Sequence, residues 1–181
     1  MAQGAPEAVL IDGYNVLHAI PRFAPRGSDP APARERFETW VAQEVDRRRV
    51  GDCVLVWDGR RGGRRACRSR RLTVLTTAAG VTADERILDL CRGTYAARAA
   101  STWVVSSDRD IQGPARQLGF EVLGAMAFYR RWLQSRAGEG ERPRVRGSTD
   151  DPGAAARPRS SRAEIDELLD AFLDTRGGSA G

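Results

Sequence analysis

Five short apolar runs constrain the fold of this chain more than any other feature. Each run is continuous and rich in Val, Leu and Ile, with little of the alternation expected of a strand that has one exposed face. Such runs are typical of strands buried on both faces of a parallel sheet. We therefore predict strands at Ala8–Ile11, Cys53–Trp57, Leu72–Thr76, Thr102–Ser106 and Phe120–Leu123.

Helical patterns separate most of these runs. Apolar residues recur at helical spacing in Ala33–Arg49 and Ala83–Arg98, a short helix is expected at Ile111–Leu118, and another at Ala125–Arg136. The alternation of strands and helices predicts an α/β fold with a doubly wound sheet. Between the second and third strands, Arg60–Arg71 is too polar and glycine-rich for a helix, and we expect a loop there.

The composition changes after residue 136. Residues 137–161 are rich in Gly, Pro, Arg and Ser and poor in apolar residues, which predicts a flexible, disordered linker. Residues 162–175 then place apolar side chains at the spacing of an amphipathic helix. We therefore expect a folded domain at residues 7–136, this linker, and a C-terminal amphipathic helix that either folds back on the domain or binds a partner.

The charge of the chain points to a polyanionic partner. The net charge is +5, and all 29 basic residues are arginine. Seven of these arginines fall between Arg60 and Arg71, where there is no acidic residue. A block of like charges repels itself and favours contact with nucleic acid. The alternative interpretation of this block is a solvated, flexible loop.

Several classes of protein are disfavoured by the remaining composition. The three cysteines are far apart and form no CxxC pair, so neither a disulfide framework nor a zinc site is expected. His18 is the only histidine, which leaves no Ser/His/Asp or Cys/His catalytic set. No apolar stretch approaches the roughly 18 residues of a membrane span, and the first residues lack the pattern of a signal peptide. We expect a soluble, cytoplasmic protein without a membrane partner.

Acidic residues stand at the ends of three predicted strands and at the start of the helix after a fourth. They are Asp12, Asp58, Asp84, Glu85, Asp108 and Asp110. Because open parallel sheets bind ligands beyond the carboxyl ends of their strands, we expect these acids at one edge. Crowded carboxylates repel one another unless a cation lies between them, and Mg²⁺ takes oxygen ligands. Such an ion can activate water and neutralise charge on a phosphodiester.

Some of these acids also fit helix-capping patterns. Thr82 and Glu85 match a capping box, which makes Glu85 a structural residue and leaves Asp84 as the better ligand. Ser107 and Asp110 match the same box, so Asp110 either serves the following helix or contributes to the site.

The other polar residues carry alternatives of their own. Asp12–Gly13 and Asp58–Gly59 are common turn pairs, and a turn is the simplest interpretation of each pair taken alone. Asp108 follows a buried strand directly and has no obvious capping role, so we favour it as a ligand. Asn15 either caps the next segment or contacts a phosphate.

Three motifs in this order resemble the YacP-like branch of the NYN domains, which belong to the PIN-like nuclease group. They are IDGYN at 11–15, TADER at 82–86 and SSDRDIQGPARQLG at 106–119, and the resemblance covers Val9 to Trp132. It implies a PIN-like three-layer α/β fold with a parallel sheet of about five strands in the order 3-2-1-4-5. It also implies metal-dependent endoribonuclease activity, and members of the family include a bacterial enzyme that cuts messenger RNA in association with the ribosome.

The resemblance assigns roles to individual residues. Asp12, Asp84 and Asp108 would hold the metal, with Asp110 in support, and Asn15 matches the asparagine of the first motif. The arginine block has no motif that carries over by residue.

Our working hypothesis is therefore an Mg²⁺- or Mn²⁺-dependent endoribonuclease that acts on RNA, with messenger RNA and the ribosome as candidate partners. The proposed substrate ligands are Asn15, Arg60, Arg61, Arg64, Arg65 and Arg109, and weaker candidates for the site are Asp58, Glu85 and Ser107. The main alternative is a non-catalytic RNA- or ribosome-binding module with the same fold. Dinucleotide, P-loop and aspartyl-phosphatase chemistry are disfavoured because the first strand is followed by none of their motifs.

Overall fold

A computed structural model of the chain describes residues 5–24, 30–59, 61–66 and 69–138. The chain divides into two units, residues 1–131 and 132–181. The first unit holds every described strand, and in the second the description covers only the end of the last helix. The predicted linker at 137–161 lies almost entirely outside the described residues, and the predicted helix at 162–175 lies wholly outside them.

Six strands and five helices make up the described fold, together with a 3₁₀ helix at Ala96–Ser101. The strands are β1 (Ala8–Asp12), β2 (Asp52–Trp57), β3 (Arg61–Ala66), β4 (Leu72–Ala78), β5 (Thr102–Val105) and β6 (Glu121–Leu123). The helices are α1 (Gly13–Ala19), α2 (Pro30–Arg48), α3 (Ala83–Arg92), α4 (Arg109–Gln117) and α5 (Ala125–Gly138).

The strands form one sheet in the order β3-β4-β2-β1-β5-β6. All neighbours are parallel except β3 and β4, which are antiparallel. The five parallel strands follow the order expected of a PIN-like fold, and the α/β class is confirmed. Strands β1 and β2 are buried along their whole length, as their continuous apolar sequences indicate. Strand β1 lies between β2 and β5, so the residues that follow these three strands meet at one edge.

Strand β3 corrects the expectation of a loop at Arg60–Arg71. Its sequence, RGGRRA, has neither apolar alternation nor β-branched residues. It forms at the border of the sheet, where pairing with one neighbour is sufficient and charged side chains discourage association with other chains. Gly62 has φ 62°, a conformation that glycine adopts without strain. Backbone pairing with β4 therefore accounts for this strand, whose sequence carries no apolar pattern.

The helices differ from the sequence prediction at their ends. α1 begins directly after β1, where only a turn was expected, and α3 ends at Arg92 rather than Arg98. The predicted apolar face of α2 is confirmed, since Phe37, Val41 and Val45 are fully buried. α1 contacts α2, and α3 contacts α4, in keeping with a helical layer on each face of the sheet. None of the helices in the described part of the chain is long and apolar enough to cross a membrane.

Candidate active site

Asp12 lies at the centre of the carboxyl edge of the sheet. It is the last residue of β1 and the N-cap of α1. Its Oδ1 accepts the backbone N–H of Asn15 at 3.3 Å, and its Oδ2 accepts the hydroxyl of Ser106 at 3.0 Å. The residue is only 5% exposed. The turn interpretation of Asp12–Gly13 is therefore replaced by a capping role, which uses one lone pair on each carboxylate oxygen.

The surroundings of Asp12 disfavour its charged form. Burial raises the pKa of its carboxyl from 3.8 to about 6. The hydrogen bonds from Ser106 and Asn15 oppose this rise, whereas the negative charges of Asp84 and Asp58 add to it. Asp12 is therefore a desolvated carboxylate with like-charged neighbours, which is the environment that a cation would relieve.

Ser106 joins Asp12 to the third motif. Its hydroxyl donates to Asp12 and accepts the backbone N–H of Asp108 at 3.0 Å. Asp108 in turn accepts the N–H of Asp110 at 2.9 Å and is the N-cap of α4. Two expectations are thus wrong: Asp108 does have a capping role, and Ser107 does not provide the cap. The expected cap, Ser107, is one residue before the observed cap, Asp108. Ser and Asp are both good N-caps, so the sequence alone does not distinguish them.

Asn15 forms a second link between the first and third motifs. Its Oδ1 accepts the backbone N–H of Ser107 at 2.7 Å, and the Ser107 hydroxyl accepts the N–H of Ala125 at 3.1 Å. Asn15 therefore clamps the loop between β5 and α4 to the start of α1. No acceptor for the Asn15 side-chain NH₂ occurs among the residues that the structure describes. Asn15 is half-buried, and this NH₂ is a candidate donor to a ligand.

The second motif contributes Asp84 from the first turn of α3. Thr82 and Glu85 form the expected capping box, with bonds of 3.2 and 3.0 Å. Asp58, at the end of β2, accepts the N–H of Ala83 at 2.7 Å and so holds α3 against the sheet. Asp84 is left half-buried in the same turn without a capping task.

The negative charges of the other acids act on Asp84. Its pKa is raised mainly by burial. Four neighbouring carboxylates raise it further, namely Asp108, Asp58, Asp110 and Glu85. Asp84 also raises the pKa of Asp12, so that the predicted acids of all three motifs belong to one electrostatically coupled group. We call this group, consisting of Asp12, Asp58, Asp84, Glu85, Asp108 and Asp110, the acidic cluster.

The acidic cluster has the donor chemistry for a hard divalent ion. Within the described ranges, no three Asp, Glu, His or Cys side chains converge closely enough to hold an ion directly between them. Mg²⁺ does not require such a cage, because it usually keeps several waters and binds one or two carboxylates. An all-oxygen donor set with a desolvated, like-charged carboxylate at its centre fits a partly hydrated Mg²⁺ or Mn²⁺.

The predicted arginines lie at different distances from the carboxyl edge of the sheet. Arg109 is exposed at the first position of α4, between Asp108 and Asp110. In β3, the backbone of Arg61 pairs with Ala78 at the carboxyl end of β4, whereas Arg64 and Arg65 pair further back, with Leu75 and Val74. Arg60 lies outside the described residues. By strand position, Arg61 is thus nearer the acidic edge than Arg64 or Arg65.

Sequence reasoning did not single out Ser106 and Tyr14. Ser106 is fully buried at the end of an apolar run, where it was counted as part of the strand. A buried hydroxyl next to a motif rich in acids was the available signal. Tyr14 packs edge-on against Trp57, with ring centroids 4.8 Å apart, and stacks with His18 at 6.0 Å. The DGYN motif contains Tyr14, but no pattern in the sequence indicated its two ring contacts.

Comparison with known proteins gives one family and a consistent fold. The family model of the YacP-like NYN domain matches residues 9–168. A solved structure of Rae1 (YacP) from Bacillus subtilis is 21% identical, with a TM-score of 0.54 over 96% of this chain and 98% of that one. A tryptophan-to-leucine mutant of the same protein is also 21% identical, with a TM-score of 0.57 over 94% of this chain and 95% of that one. No curated protein sequence matches.

Proposed function

The chain belongs to the YacP-like NYN domain family of PIN-like nucleases, and from this membership we propose that it is an endoribonuclease dependent on Mg²⁺ or Mn²⁺. One observation carries the proposal. Asp12 is buried beside other carboxylates, and this placement raises its pKa to about 6. Burial of the charged form of Asp12 beside like charges costs stability unless a cation is bound, which argues for a functional role.

The residues of the cluster divide into ligands and supports. Asp12, Asp84 and Asp108 would hold the ion, directly or through waters. The ion, when bound, would supply the Lewis acidity and charge neutralisation that phosphodiester hydrolysis requires. Ser106 and Asn15 fix the carboxylate of Asp12 and the loop that carries Asp108. Asp58 and Glu85 hold the start of α3, which carries Asp84. Asp110 supports the cluster through its charge.

Substrate contacts come from donors around the cluster. Arg109 is exposed beside Asp108, and the side chain of Asn15 contacts the same loop at Ser107. Both would donate to phosphate oxygens of the RNA, and the arginines at 60–65 would contact the backbone further along. The excess of arginine supports a polyanionic substrate. We propose messenger RNA in the cytoplasm as this substrate, with cleavage in association with the ribosome.

Cleavage of RNA by purified protein tests the proposal. Asp12→Asn and Asp108→Asn remove one charge each but keep an oxygen that accepts the capping N–H, so both variants should fold. We expect each to lower the cleavage rate in Mg²⁺ or Mn²⁺ by about a hundredfold or more. Mapping of the 5′ ends of the fragments would identify the sites that the active protein cuts.

Asp89→Asn provides the matched control. Asp89 lies on α3 together with Asp84 but pairs with Arg92 at the far end of the helix. This variant should cleave RNA at the wild-type rate. Wild-type cleavage by both cluster variants would overturn the assignment of the site. Binding of RNA without cleavage in any divalent metal would instead favour the non-catalytic RNA-binding module.

A further inference from the structure

Tyr14 and His18 form a stacked aromatic pair at the start of α1. Their rings are nearly parallel, at 13°, with centroids 6.0 Å apart. The pair follows from helix geometry, because residues four positions apart lie on the same face. Tyr14 is half-buried and His18 is exposed. The pair therefore presents aromatic surface to solvent close to a cluster of charged groups.

The ring of Tyr14 packs on a buried aromatic side chain. It meets the ring of Trp57 at 70°, with centroids 4.8 Å apart, and Trp57 is fully buried. The guanidinium of Arg34 lies 4.6 Å from the Trp57 ring and bonds to Glu38 at 3.0 Å. Packing on Trp57 accounts for the position of Tyr14. Helix geometry brings His18 beside Tyr14, but neither contact requires the two rings to be parallel with the imidazole exposed.

The aromatic pair lies next to Asp12, on the path of a strand that crosses the acidic edge. Asp12 caps the helix that carries both rings, so Tyr14 lies two residues beyond the central carboxylate. Its contact with Trp57 places it on the β2 side of Asp12, whereas Asp108 and Arg109 lie on the β5 side. A nucleic acid strand that crosses the acidic edge from Arg109 towards β3 would pass Asp12 and then the aromatic pair.

We propose that Tyr14 and His18 form a base-stacking subsite for one unpaired base of single-stranded RNA, next to the scissile phosphate on the β2 side. This inference rests on the proposed nuclease function. Bases stack on aromatic side chains with little regard to sequence, and they can do so only when they are free of a duplex. The subsite would therefore favour unpaired RNA and tolerate different bases.

Binding in EDTA tests the subsite separately from cleavage. The probes are a fluorescent adenosine oligonucleotide and an abasic oligonucleotide of equal length and charge. We expect His18→Ala to weaken binding of the adenosine probe about tenfold, and to leave binding of the abasic probe unchanged. His18→Phe should restore binding of the adenosine probe, because it returns an aromatic face without the imidazole.

The single histidine of the chain provides a second measurement. The ring protons of His18 should shift upfield in NMR spectra when the adenosine probe is added, and should not shift with the abasic probe. Equal loss of affinity for both probes in His18→Ala, or no shift with either probe, would overturn the subsite. Upfield shifts in a protein that cleaves no RNA would retain the subsite and reject the nuclease. Cleavage without shifts would do the reverse.

Discussion

The hydroxyl of Ser106 donates to Oδ2 of Asp12 across 3.0 Å and joins two residues that lie 94 positions apart. The same hydroxyl accepts the N–H of Asp108. One serine therefore fixes the central carboxylate and the start of the loop that carries the third motif. The two acids are not placed independently, because each depends on the same oxygen atom.

Replacement of Ser106 by alanine should disturb both acids. Asp12 would lose a hydrogen bond that favours its charged form, so its pKa should rise above about 6. The acid limb of the pH–rate profile should therefore move to higher pH. The Asp108 N–H would lose its acceptor, and the free energy of unfolding should fall by about 1–3 kcal/mol. Urea unfolding measures the loss of stability. Rates of RNA cleavage between pH 5 and 8, a range of about three pH units around the Asp12 pKa, measure the shift of the acid limb. An unchanged acid limb would contradict the coupling.

The stability of the metal-free protein should depend on pH through Asp12. The pKa of its carboxyl is about 6 in the folded protein and near 3.8 otherwise, so the folded state binds the proton more tightly. Stability from this group is present at low pH and is lost as the pH rises from about 4 to about 6. At about 1.4 kcal/mol per pH unit, the loss is on the order of 3 kcal/mol.

Asp12→Asn isolates this contribution. In EDTA the variant should be more stable than wild type at pH 7 and should lack the decline between pH 4 and 6 (both limits about the two pKa values). Addition of Mg²⁺ should stabilise wild type at pH 7 and leave the variant almost unchanged, because binding to the folded state adds to its stability. Parallel unfolding curves for wild type and variant across this range would show that Asp12 is not the group responsible.

Two substitutions at Asn15 separate its two candidate roles. Asn15→Asp keeps an oxygen for the Ser107 N–H but removes the NH₂ that would contact a phosphate, whereas Asn15→Ala removes both. We expect Asn15→Asp to bind RNA more weakly, because it loses the NH₂ and adds a negative charge, and Asn15→Ala to lose about 1 kcal/mol of stability as well. Full RNA affinity in Asn15→Asp would limit Asn15 to the clamp.

Gly13 should tolerate no side chain. A Cβ at this position would lie 2.5 Å from Cε3 of Trp57 and 2.7 Å from the backbone oxygen of Val56. Gly13→Ala should therefore lower the free energy of unfolding by about 1–3 kcal/mol. Gly113→Ala is the control, since nothing lies within 4 Å of a Cβ there and the residue is inside α4. It should raise stability by about 0.5–1 kcal/mol. Thermal or urea unfolding of both variants measures these changes. An unchanged free energy of unfolding in Gly13→Ala would show that Trp57 can move.

The parallel strands could be predicted from sequence because burial on both faces leaves a continuous apolar record. β1 and β2 are clear examples. β3 could not be predicted, because a border strand is formed by backbone pairing that leaves no apolar pattern in RGGRRA. α1 was missed for a related reason. It has seven residues, and its start is determined by a carboxylate that reads equally well as part of a turn.

The candidate site could be predicted as a set of acids but not as a network. Strand ends locate Asp12 and Asp108, and a capping box sets Glu85 apart from Asp84. The sequence does not indicate that Ser106 bridges two motifs, because that bond depends on the register of β1 against β5. The cap of α4 is Asp108 rather than Ser107 for a local reason, since the two residues are adjacent and both are of types that cap helices well.

The order of the strands along the chain also determines at what stage of synthesis the acidic cluster can be complete. Asp12 is the last residue of β1, but its partner Ser106 follows β5, and three other strands lie between them along the chain. Contacts between residues so distant along the chain form late, because closing a long loop costs entropy. A chain still emerging from the ribosome presents Asp12 and Asp84 before Asp108 has been made. The acidic cluster is therefore incomplete in every nascent chain that is shorter than the end of the third motif.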